Sequence, residues 1–79
     1  MSFRLNILVN LWTRLATEMN QRDFGLDQRE WRILGLLGGY APLSLKSLAR
    51  EAKLDKSQAS RSVSAMTERG LLQRYKELQ

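Results

Sequence analysis

Apolar residues stand at Leu5, Leu8, Trp12, Leu15 and Met19, and this alternation of three and four draws a single stripe along a helix. Ile7, Val9, Leu11 and Ala16 broaden the stripe. The spacing therefore predicts a long N-terminal helix from Phe3 to about Asn20, with more apolar surface than one neighbour can cover. The segment from Asn20 to Leu26 is polar, holds Gly25 and reads as a loop. A second helix starts at Asp27 with Glu30 three residues on, an acid pair suited to an N-terminal cap, and continues through Trp31, Ile33, Leu34, Leu36 and Leu37. Its surface is apolar nearly all round, which belongs at the centre of a fold, and Gly38, Gly39 and Pro42 are expected to stop it.

Ser44 can cap a third helix, in which Leu45, Leu48, Ala49 and Ala52 recur at helical spacing. Lys53, Leu54 and Asp55 make a tight connection. Asp55 or Ser57 can then cap a fourth helix that runs to Arg69 and ends at Gly70. Leu71 to Tyr75 alternates enough to open a short strand, of which only the beginning is expected.

Composition narrows what such a chain can do. At 79 residues it forms one small domain that hides only about 60 to 65% of its unfolded surface, so association with a second copy is the expected source of extra stability. It holds no Cys and no His, which removes thiolate and imidazole chemistry together. No paired acids, metal ligands or phosphate-cradling glycines suggest an enzyme. No apolar run approaches the roughly 20 residues of a membrane span, and no secretory leader is expected, so the cytoplasm is the expected compartment. The net charge of +5 is unevenly placed. Residues 44 to 76 carry eight basic against three acidic side chains, while residues 1 to 43 carry five against four. A basic half suits a polyanion, and a near-neutral half suits packing or dimerisation.

Two short helices joined by a three-residue turn, the second rich in small polar residues, match the geometry of a helix-turn-helix. Ala49 is expected where the helices cross, Leu54 in the turn, and Ala59, Val63 and Met66 against the core. The opposite face of the fourth helix then presents Lys56, Ser57, Gln58, Ser60, Arg61 and Ser64. Short hydroxyl side chains let the backbone approach DNA, while Gln58 suits adenine and Arg61 suits guanine through paired hydrogen bonds in the major groove. Ser57 can equally serve only as a cap, Ser62 and Ser64 can be merely solvated, and Arg61 can meet a phosphate instead of a base. Ser44 and Lys46, at the start of the third helix, are further candidate DNA contacts.

The runs Leu26-Asp-Gln-Arg-Glu-Trp-Arg-Ile-Leu, Pro42-Leu-Ser-Leu-Lys-Ser-Leu-Ala-Arg-Glu-Ala, Asp55-Lys-Ser-Gln-Ala-Ser-Arg-Ser-Val and Glu68-Arg-Gly-Leu-Leu-Gln-Arg together resemble the MarR family of winged helix-turn-helix transcriptional regulators, over about residues 24 to 75. The resemblance implies a mainly α fold: a winged helix-turn-helix with a long N-terminal dimerisation helix and an incomplete wing. Residues 1–22 would form that helix and residues 23–79 the DNA-binding domain, in a single structural unit. It implies a homodimer on pseudo-palindromic double-stranded DNA, with Lys56, Ser57, Gln58, Ser60 and Arg61 at recognition-helix positions, Gly70 ending that helix and Arg74 on the first wing strand. Leu5, Leu8, Trp12 and Leu15 would carry dimerisation. No metal or cofactor is implied. Many relatives take small, often aromatic, effectors, which would put Trp12, Trp31 and Tyr40 near pocket walls. The chain departs from the family pattern at Lys53, where the turn commonly carries Gly, and at Ala59 and Ser62, where larger aliphatics are common. Against the family pattern, the wing tip, its returning strand and the C-terminal dimerisation helices are expected to be missing from these residues, as in a fragment or in a short relative with a rearranged dimer, and a half-wing would leave a strand edge for another chain to pair.

Two functional readings follow. One is a dimeric, sequence-specific DNA-binding regulator. The other is a winged-helix protein-interaction module without DNA binding of its own, whose apolar N-terminal face serves a partner protein. A membrane-surface binder fits poorly, because the apolar helix and the basic half are different segments.

Overall fold

The structure, a computed structural model, describes residues 3–18, 25–40 and 42–78. The elements run β1 (Phe3–Val9), α1 (Leu11–Glu18), α2 (Gln28–Tyr40), β2 (Leu43–Ser44), α3 (Leu45–Ala52), α4 (Lys56–Glu68) and β3 (Leu72–Leu78). Met19, the expected loop from Asn20 to Phe24 and the side chain of Tyr40 lie outside what is described.

The long N-terminal helix expected from the stripe is not formed: a strand and a short helix take its place. Phe3, Leu5, Ile7 and Val9 also alternate, a period of two that fits a strand as well as the wider spacing fits a helix. β-Branched Ile7 and Val9 favour the extended form. The deciding influence is a distant partner. β1 pairs antiparallel with β3 from Phe3 opposite Leu78 to Val9 opposite Leu72, and with β2 at Asn6–Ser44 and Ile7–Leu43. The sheet order is β2-β1-β3, so β1 fills the place beside β3 where a returning wing strand was expected to be missing. One edge of β3 is thus paired by the chain's own N-terminal segment.

Strand geometry also separates the residues expected on one dimerisation stripe. Neighbours along a strand point to opposite faces, so Leu5 shares the face of buried Ile7 and Val9 while Leu8 points to the other. Trp12 and Leu15 belong to α1. Farther along the ribbon, beyond the helices, Phe3, Leu5 and Leu78 are exposed.

The helices follow local rules more closely. At the start of α2 the Glu30 N–H donates to Asp27 Oδ1 at 2.8 Å and the Asp27 N–H to Glu30 Oε1 at 3.0 Å, a reciprocal cap. α2 runs through Gly38 and Gly39 to Tyr40 instead of stopping at them. Neither glycine takes the left-handed φ that ends a helix, and the stop falls to Pro42, which has no N–H to continue the ladder. Ser44 caps α3 through its Oγ, which accepts the Ser47 N–H at 3.1 Å. Lys53 ends α3 in the left-handed conformation at φ 58°.

Leu48 and Ala52 of α3, Val63 and Met66 of α4, and Ile33, Leu34 and Leu37 of α2 meet Ile7, Val9, Leu71 and Leu72 of the sheet in one core. Leu54 packs on it from the turn, and Ala49 and Ala59 are buried, as expected for residues that let two helices approach. The Arg32 guanidinium donates to the Ala52 carbonyl at 3.1 Å and satisfies the end of α3.

Candidate nucleic-acid interface

α3, the Lys53–Asp55 turn and α4 form a helix-turn-helix whose second helix turns one face to the core and the other outward. Ala59, Val63 and Met66, spaced four and three apart, bury the inner face. The outer face carries exposed Lys56, Ser57 and Arg61 and half-buried Ser60 and Ser64. Lys56, Ser57, Ser60 and Arg61 line a groove of about 380 Å³ with Leu45 of α3 as the apolar wall, and none of these side chains is acidic. The groove thus places two cations beside two small hydroxyls.

Three expected contacts are committed elsewhere. Gln58 closes the cap of α4: its N–H donates to Asp55 Oδ1 at 2.7 Å, and its Oε1 accepts the Asp55 N–H at 3.3 Å. Paired hydrogen bonds to adenine would require Gln58 Oε1 to leave that cap. Ser44 is the cap of α3, and its hydroxyl also donates to Ser47 Oγ at 3.0 Å. Ser64 meets Arg74, whose Nη2 donates to its Oγ at 2.7 Å, so the ribbon is tied to the outer face of α4. Lys46 lies exposed near the start of α3.

Sequence reasoning missed the residues that hold the end of α4. Gly70, at φ +77°, turns the chain from α4 into β3, and its carbonyl accepts from Asn10 Nδ2 at 2.8 Å and from Trp12 Nε1 at 2.6 Å. No local pattern marks a pairing across some 60 positions. The one available hint was an Asn at the junction where alternation gives way to helical spacing.

Of the aromatics expected around an effector, the side chain of Tyr40 lies outside what is described, and Trp12 and Trp31 stand apart from the cavity beside α1. The cavity between α1 and α2 holds about 190 Å³ and is lined by Val9, Arg14, Thr17, Glu18, Leu34 and Gly38, so neither Trp12 nor Trp31 is in its wall. That is below the roughly 300 Å³ at which small-molecule pockets begin. Among the described residues no helix is long and apolar enough to cross a membrane, and no cluster of acidic residues could hold a metal ion.

A sequence model of the MarR family matches residues 24–77, the stretch from the approach to α2 through the helix-turn-helix into β3. The chain belongs to the MarR family. MarR proteins are winged helix-turn-helix regulators of transcription and not enzymes, and the four helices with a small antiparallel sheet agree with that fold. β1 and α1 precede the matched MarR segment, so the strand that pairs with β3 comes from outside it. No curated protein and no solved structure matches the chain.

Proposed function

We propose that this MarR protein is a cytoplasmic homodimer that regulates transcription by laying α4 in the major groove of double-stranded DNA. The observation that carries the reading is the groove of Lys56, Ser57, Ser60 and Arg61, basic and free of acidic lining on the one face of α4 turned from the core. Phosphates neutralised there release condensed counterions, which supplies affinity, while Arg61 supplies base discrimination. Arg74, tied to Ser64, extends the cationic line onto the ribbon. With Gln58 held in its cap, base reading falls to Arg61 and the neighbouring hydroxyls.

The homodimer is supported by α1, which buries Thr13 and exposes Leu11, Trp12 and Leu15. A helix that turns its apolar side to solvent fits a second copy. Leu15→Glu should then weaken the dimer in sedimentation.

Duplex binding followed by fluorescence anisotropy across a salt series tests the function. The expected result is a log–log slope of about −4 or steeper, from four or more neutralised phosphates. Arg61→Ala is expected to cost about 1–3 kcal/mol on a selected site. The exposed α1 face also favours a second reading, a module that docks a foreign protein. A monomer with flat, salt-insensitive duplex signal would select it.

A further inference from the structure

A carbonyl oxygen offers two lone pairs, and at Gly70 both are taken by donors from the far end of the chain, Asn10 Nδ2 and Trp12 Nε1. Asn10 reaches further. Its Nδ2 also donates to the Leu72 carbonyl at 3.3 Å, and its backbone N–H to the Leu71 carbonyl at 3.0 Å. Three consecutive carbonyls between α4 and β3 are therefore held by two residues at the joint of β1 and α1. The local bonds of this turn, Gly70 N–H to Thr67 and Leu71 N–H to Met66, close the helix but do not fix where the chain goes next. Together with the Arg74–Ser64 bond and the packing of Leu71 and Leu72, the N-terminal joint therefore helps to set the angle between α4 and the ribbon. Trp12 has a second aspect: the residue is 50% exposed and stands beside exposed Leu11 on α1's outward side, so a partner that covers that face reaches the residue that holds Gly70.

We propose that Asn10 and Trp12 are positioning residues for DNA binding, holding α4 and the β1–β3 ribbon at the angle at which both meet one duplex, and that they couple a second copy docked on α1 to the recognition helix. The inference rests on the DNA-binding reading above. Neither residue touches DNA. Each acts through the Gly70 carbonyl, and linkage makes the effect reciprocal: duplex binding strengthens the contact on α1 as that contact strengthens duplex binding.

Trp12→Phe keeps an apolar ring on the α1 face and removes the donor. Asn10→Leu keeps the size, adds no charge and removes both side-chain N–H bonds. Trp12→Phe is expected to lose about tenfold in duplex affinity, the scale of one hydrogen bond, and the Asn10 variant at least as much, with the urea midpoint showing a folded protein and the salt slope unchanged. The double variant should lose less than the product, because both donors serve one carbonyl. In a Trp31→Phe background, the Trp12 indole N–H resonance is expected to shift on duplex titration with the same midpoint as the Ser60 and Arg61 amides, which a merely structural bond would not do. Wild-type affinity in both variants, with Arg61→Ala still defective, overturns this inference and leaves DNA binding standing. Affinity losses that only track the unfolded fraction, or an indole resonance that stays still, also overturn it. If the wild type itself fails to bind any duplex with salt dependence, both readings fall.

Discussion

Residues 43–70 and residues 3–18 reach their folded state by opposite means. In the first stretch each helix carries its own start and stop. Ser44 caps α3, the reciprocal Asp55–Gln58 pair caps α4, Gly70 closes it, and every large apolar side chain of α4 faces inward. In the second stretch almost nothing is local. β1 exists because β3 lies beside it along seven residues, and α1 begins where Asn10 and Trp12 bond to a turn 58 or more positions away. α1 even inverts the usual arrangement: Thr13 is fully buried, its Oγ1 has no hydrogen-bond partner among the described residues, and Leu11, Trp12 and Leu15 look out. The locally built region carries the proposed DNA contacts, and the remotely built one sets how they are presented.

Substitutions can break or sharpen that contrast. The largest effect is expected at Ile7, buried in the middle strand of the sheet: Ile7→Ala should cost about 2–4 kcal/mol in urea unfolding, against under about 1 kcal/mol for exposed Leu5→Ala. The order would reverse if the Leu5–Leu8–Trp12 stripe were a helix. On the local side, Asp55→Ala is expected to cost about 1 kcal/mol by removing the cap of α4, with β1–β3 amide protection unaltered in hydrogen exchange. Thr13→Val should stabilise by about 1 kcal/mol, because a buried hydroxyl without a partner costs about that in lost hydration, and a loss of stability would show that α1 packs differently. The smallest effect belongs to Lys53. Its left-handed φ of 58° costs about 1–2 kcal/mol for a residue with a Cβ, partly offset by the entropy glycine loses on folding. Lys53→Gly should therefore raise stability by about 0.5 kcal/mol in thermal unfolding.

The same contrast governs what the chain's pattern made legible. α2, α3, the turn and α4 were readable because caps and apolar spacing act within four residues, and at those positions only one periodicity was satisfied. The overrun of α2 through Gly38 and Gly39 shows the limit, since glycine permits a stop without compelling one. Phe3 to Val9 satisfied two periodicities at once, and the choice fell to pairing with β3, which no local window contains. Within the interface, the basic outer face of α4 was legible from helical spacing alone. The diversion of Gln58 into the cap was not, because a Gln three residues after an Asp suits both a cap and a base. Asn10 was missed for the same reason as β1: the three bonds it donates all cross the chain, and only its carbonyl bonds locally, to the Arg14 N–H.

On the reading proposed above, the outer face of α4, held at its angle by the β1–β3 ribbon, is the surface that meets DNA. A titration of the isotope-labelled protein with a selected duplex, read residue by residue from backbone amide resonances, probes that surface. The shifts are expected to concentrate at Lys56, Ser57, Ser60 and Arg61, continue to Arg74 on the ribbon and fade along the buried side of α2. Shifts confined to Leu11, Trp12 and Leu15, or none at α4 at duplex concentrations that saturate anisotropy, would contradict it.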